Sequence, residues 1–129
     1  MNNSTVKILV MDDEEVVSMV AGEMLEYLGY DVSFATDGHQ ALTMYGDALS
    51  SGKPFGAVIM DLTIPNGMGG REAIGKILEI DPNVRAIVSS GNSNDPVMAD
   101  FRQYGFAGAV AKPYKMEELG SQVSNALQG

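Results

Sequence analysis

Apolar residues fall along this chain in two alternating rhythms. Five short runs, Val6 to Met11, Asp31 to Ala35, Ala57 to Met60, Arg85 to Ser89 and Ala107 to Ala111, are compact and rich in β-branched or small residues. They read as strands, and the first and third are almost continuously apolar, as strands buried on both faces are. The stretches between them carry helical spacing. Val16, Val20, Met24 and Leu28 recur every fourth residue before Gly29, and Ala41, Leu42, Tyr45 and Leu49 do so before the turn Ser50-Ser51-Gly52-Lys53-Pro54. Ala73, Ile74, Ile77 and Leu78 mark a third helix stopped at Asp81-Pro82. Val97, Met98, Phe101 and Tyr104 mark a fourth, opened by Asn94-Asp95-Pro96, where Asn94 can cap and Pro96 fits the first turn. Met116, Leu119, Val123 and Leu127 mark the fifth. A strand followed each time by a helix predicts an α/β fold: a doubly wound five-stranded parallel sheet, (βα)5, with helices on both faces.

The chain has 129 residues, 45% of them hydrophobic, enough for one compact core and too few for two. One domain is expected over residues 1–129, with its core from about Lys7 to Leu127. The stretch Met1 to Thr5 is polar and no apolar run is long enough to span a bilayer, so neither a leader nor membrane association is expected. Without cysteine there is no disulfide framework or thiolate metal site, which suits the cytoplasm. Seventeen acidic against eight basic residues give a net charge of −9. That charge repels nucleic-acid backbones and anionic membranes, so no direct nucleic-acid partner is expected.

In an open parallel sheet, chemistry gathers beyond the carboxyl ends of the strands. Strand 1 is followed by Asp12-Asp13-Glu14-Glu15, strand 3 by Asp61, strand 4 runs into Ser89-Ser90-Gly91, and strand 5 into Lys112-Pro113. Each has an ordinary structural reading. Acids favour a helix start, Ser-Gly makes turns, and a lysine can snorkel from a strand end. Their joint arrival at one edge does not. Three carboxylates in one pocket repel one another by roughly 2–4 kcal/mol per pair at an effective dielectric near 20, so a hard cation is wanted. Magnesium fits, with manganese as an alternative. An aspartate can attack phosphorus to give an acyl phosphate, while an ammonium and a hydroxyl offset charge on the phosphoryl oxygens.

These residues, with Met60-Asp61-Leu62 and Pro65, Ser90-Gly91 and Lys112-Pro113 in order, resemble the receiver domain of two-component response regulators over about Lys7 to Leu127. The resemblance implies a flavodoxin-like strand order 2-1-3-4-5. It implies Asp61 as phosphoacceptor, Asp12 and Asp13 as metal-binding acids, and the backbone carbonyl of Thr63 as a further ligand. It implies Lys112 as the phosphate-pairing lysine, its bond to Pro113 usually cis, and Ser90 as the switch hydroxyl. The implied donor is a phosphohistidine on a sensor histidine kinase or histidine phosphotransfer protein. The output is a downstream protein or linked domain, and the chain itself is a signalling module that promotes its own phosphotransfer and dephosphorylation rather than an enzyme.

Two departures stand out. Ala109 occupies the position, three before the lysine, where the family often has an aromatic switch. The loop Leu62 to Gly70 has an extra glycine, which predicts altered flexibility. The segments Ser89 to Tyr104 and Asp61 to Gly70 look most like receivers of hybrid sensor histidine kinases, so a stand-alone regulator, a relay intermediate and a piece of a hybrid kinase all stay open. A haloacid-dehalogenase-like phosphatase needs an acid where Thr63 stands. A flavodoxin-like carrier needs a glycine-rich phosphate loop where Asp12 to Glu15 stand. The remaining rival is a degenerate receiver, an interaction module that is never phosphorylated. His39 reads as a solvated helix residue.

Overall fold

The computed structural model describes residues 5–129; most of the polar N-terminal stretch read as lacking a leader lies outside them. Five parallel strands, β1 (Lys7–Met11), β2 (Asp31–Ala35), β3 (Ala57–Asp61), β4 (Ala86–Ser90) and β5 (Gly108–Ala111), form one sheet in the order β2-β1-β3-β4-β5. Helices α1 (Glu15–Tyr27), α2 (Gly38–Ser50), α3 (Gly70–Ile80), α4 (Pro96–Ala99) and α5 (Met116–Gln128) fill the crossovers. Side chains alternate across each strand, so every strand feeds two cores. Ile8, Val10, Ile59 and Ile87 meet Ala21 and Leu25 of α1 and Leu119 and Val123 of α5. Leu9, Met11, Val58, Met60 and Val88 meet Ala41 and Tyr45 of α2, Ile74 and Ile77 of α3, and Val97 of α4. Winding reverses between β1 and β3, the place where such sheets open a crevice at their carboxyl edge. Among the described residues no helix is long and apolar enough to cross a membrane.

Two sequence-based expectations change. The first concerns α1, where the stripe of large residues is not the buried face: Val16 is 69% exposed, and Val20 and Leu28 also face solvent. The helix instead buries Ser18, Ala21, Gly22 and Leu25, and the ring of Phe34 on β2 lies over Gly22, where a Cβ would stand 2.6 Å from its Cζ. Small residues permit that approach, and periodicity counted on large ones selects the wrong face.

The second concerns the fourth helix, which is four residues long and passes through Asp100 into a 3-10 turn, Phe101–Tyr104. Met98, Phe101 and Tyr104 recur every third residue, the 3-10 period. Its cap is Asp95, whose carboxylate accepts the Val97 N–H, rather than Asn94.

The glycine-rich loop after β3 is held by close contact. Cβ atoms at Gly69 and Gly70 would stand 2.5 Å from the Leu62 carbonyl oxygen and 2.9 Å from that of Asp61. Pro65 and Asn66 form the centre of a turn closed by Gly67 N–H to the Ile64 carbonyl, with Asn66 at φ 61°. Gly38 N–H donates to the Met68 carbonyl at 2.7 Å, tying the loop to α2. Gly69 and Gly70 stand where the backbone comes too close for a side chain.

At the far edge of the sheet, the Gln122 side-chain oxygen accepts the N–H of Ala109 on outer strand β5. Gly108 leaves the room for it, since a Cβ there would lie 2.5 Å from that oxygen.

Candidate functional site

Backbone hydrogen bonds bring the strand ends into line. Asp12 N–H donates to Ala35, Leu62 N–H to Ser89, and Lys112 N–H to Ser90, at 2.8–3.0 Å. Asp61 and Ser90 are the last residues of β3 and β4, one position deeper in the sheet than their runs suggested. Asp12, Asp61 and Ser90 are buried and Asp13 is exposed. The Lys112–Pro113 bond is cis.

The Lys112 ammonium bridges two carboxylates, donating to Oδ2 of Asp12 at 2.8 Å and to Oδ2 of Asp61 at 3.2 Å. Glu14 stands farther off, at 3.8 Å, with its carboxylate largely in solvent. Oδ1 of Asp12 accepts the Glu14 N–H at 2.9 Å, so Asp12 also serves the start of α1. Asp12, Asp13 and Asp61 each present a carboxylate oxygen, all within 4.8 Å of one another. Burial, followed by the Asp12 charge, pushes the Asp61 carboxyl above its ordinary value; Lys112 and the Thr63 amide offset part of this. For Lys112, burial favours the neutral amine, but the hydrogen bond to Asp12 and the charges of Asp61 and Asp12 outweigh it and hold the ammonium well above its usual value.

This donor set is all oxygen, anionic, convergent and open on the Asp13 side. It fits a hard divalent cation such as Mg2+, which accepts a few carboxylate oxygens and keeps several waters. One ammonium leaves the three acids under-neutralised. Asp13→Ala is therefore expected to raise the melting temperature of the metal-free protein by a few degrees and weaken magnesium binding at least about tenfold. Thermal melts with and without magnesium check both, and a lower metal-free melting temperature would count against repulsion in the cluster.

Ser90 lies at this edge, but its hydroxyl is engaged locally, accepting the Asn92 N–H at 3.0 Å. Thr63 is exposed in the loop after β3, two residues beyond Asp61. His39 is exposed on α2, outside the cluster. A groove of about 620 Å³ runs from Asp12 and Asp13 between α1 and β2, past Met19, Gly22 and Phe34.

Sequence reasoning missed one pair beside the site. Ser89, fully buried, and Tyr114 share a hydroxyl–hydroxyl hydrogen bond of 2.7 Å. The available signal was a second serine within the otherwise apolar Ala86-Ile87-Val88 run, and an aromatic two residues after the lysine.

The family described as response regulator receiver domain matches residues 8–124. A chemotaxis protein CheY of Thermotoga maritima is 31% identical over 110 residues, covering 84% of this chain and 87% of that protein. The sporulation initiation phosphotransferase F of Bacillus subtilis is 29% identical, covering 94% and 93%. A two-component response regulator of the LuxR family from Aurantimonas superposes with a TM-score of 0.85 at 27% identity, over 98% of this chain and 87% of that one. A response regulator receiver domain protein from Clostridium thermocellum superposes at 0.84 with 24% identity, over 95% and 94%.

Proposed function

Because this chain belongs to the response regulator receiver domain family, the signalling modules of two-component systems, we propose that Asp61 is its phosphoacceptor. The donor is a phosphohistidine on a sensor histidine kinase or histidine phosphotransfer protein. A carboxylate oxygen of Asp61 forms the new P–O bond as the P–N bond breaks, and the electron pair leaves with the imidazole nitrogen. The observation that carries this reading is the Lys112 ammonium held between Asp12 and Asp61. Beside Asp61, that ammonium would offset charge developing on the phosphoryl oxygens. Asp12, Asp13, Asp61 and the Thr63 carbonyl would hold Mg2+, which supplies further neutralisation and orientation of those oxygens.

The Ser90 hydroxyl is the switch. To donate to the phosphoryl group the hydroxyl must give up its donation to the Asn92 carbonyl oxygen, at 3.4 Å, so phosphorylation favours a second arrangement of the loop after β4. The readout face is α4, β5 and α5. With Ala109 on β5, the movement is confined to the loops after β3 and β4, and phosphorylation thereby controls a partner or linked domain.

Acetyl phosphate with magnesium, followed by intact mass, tests the assignment. Wild type is expected to gain one phosphoryl group and Asp61→Asn none. An adduct on both variants places the chemistry elsewhere, and an adduct on neither supports an unphosphorylated interaction module.

A further inference from the structure

Lys112 sits on a short segment between the end of β5 and α5, and its ammonium reaches its two carboxylates through a flexible four-carbon stem. Such a stem does not fix its own tip; the backbone beneath it must. That backbone is tied to β4 twice. Lys112 N–H donates to the Ser90 carbonyl at 2.9 Å. Two residues later, the Tyr114 hydroxyl meets the Ser89 hydroxyl at 2.7 Å inside the core shared with α1 and α5. Ser89 is itself paired in register with Asp61, and its carbonyl accepts the Leu62 N–H at 2.8 Å. One residue thus touches the strand of the acceptor aspartate through its backbone and the lysine segment through its side chain.

We propose that the Ser89–Tyr114 hydroxyl pair positions the lysine: it sets how deep Tyr114 seats beneath Lys112 and so aligns the ammonium with the phosphoryl group on Asp61. The role in phosphotransfer rests on the function proposed above. Ring burial alone favours a range of depths, because apolar contact is non-directional. A hydrogen bond between two hydroxyls in an apolar core selects one, because either group left alone there is unsatisfied. Burial pushes the Tyr114 phenol up to about 12, the bond to Ser89 opposing this, so it keeps its proton at neutral pH.

The test compares Tyr114→Phe, Ser89→Ala/Tyr114→Phe and wild type by three readouts: thermal melting, the maximal rate of phosphorylation by acetyl phosphate in saturating magnesium, and the NMR signal of the Lys112 ammonium. Tyr114→Phe is expected to lower the melting temperature, cut the maximal rate roughly tenfold with magnesium affinity unchanged, and shift the ammonium signal. The double variant removes both hydroxyls, so its melting temperature should return toward wild type while rate and signal stay perturbed. A double variant whose rate recovers with its stability makes the pair merely structural and overturns the proposal. So does an ammonium signal in Tyr114→Phe identical to wild type. The signal needs no phosphorylation: if wild type takes up no phosphoryl group, the proposed function fails while the positioning still stands or falls on the ammonium.

Discussion

Lys112→Ala is expected to destabilise the metal-free protein by about 2–4 kcal/mol at neutral pH and to slow phosphorylation by roughly 10²–10³-fold. Removing a partner from a buried ion pair strands the remaining charge, and here it strands two, since the Asp12 side chain is fully enclosed and that of Asp61 is 9% exposed. The upper part of the usual range is discounted because the site opens to solvent beside Asp13. Without the ammonium, the Asp61 carboxyl rises further above its unfolded value. A carboxyl raised in this way favours the folded state when protonated, and that contribution is lost as pH rises through its folded value. The variant should therefore approach wild type at pH values below the ordinary carboxylate range and fall away as pH rises toward neutrality. Magnesium should restore part of its stability by supplying the missing positive charge. Melts across pH, with and without magnesium, check the pattern; a loss that is the same at every pH would mean that Lys112 contributes packing rather than charge.

Gly69→Ala is expected to cost about 1–3 kcal/mol. Its added carbon would stand 2.5 Å from the Leu62 carbonyl oxygen and 3.1 Å from the Ile64 nitrogen and the Thr63 Cα. These are backbone atoms, and no side-chain rotation relieves them. The loop that must move carries the Thr63 amide beside Asp61, so magnesium binding should weaken as well. Gly75→Ala in α3 is the control. A Cβ there meets nothing within 4 Å, and alanine in a helix interior should stabilise by about 0.5–1 kcal/mol. Urea unfolding of both variants reads the difference, and equal effects would show that the close approach at Gly69 is unimportant.

The architecture was legible because each strand announces itself by apolar density and each crossover by helical spacing. The strand order was not in that pattern and came from resemblance. Asp12, Asp13, Asp61, Ser90 and Lys112 were legible because strand ends in a parallel sheet share one edge, so position along the chain translates into proximity. What stayed hidden depends on distance between elements. The buried face of α1 is carried by small residues, and Ser18, Ala21 and Gly22 carry little weight in a count of large apolar residues. The need for glycine at 69 and 70 shows only once the Leu62 and Asp61 carbonyls are seen beside them. Ser89 and Tyr114 are 25 residues apart, and nothing in their local sequence joins them.

Gln122 lends its amide oxygen to the Ala109 N–H on the outermost strand. An exposed strand margin invites another chain to extend the sheet. Here the donor at its middle is already taken by the molecule's own helix. A second copy approaching along this margin would find no vacant ladder rung at Ala109.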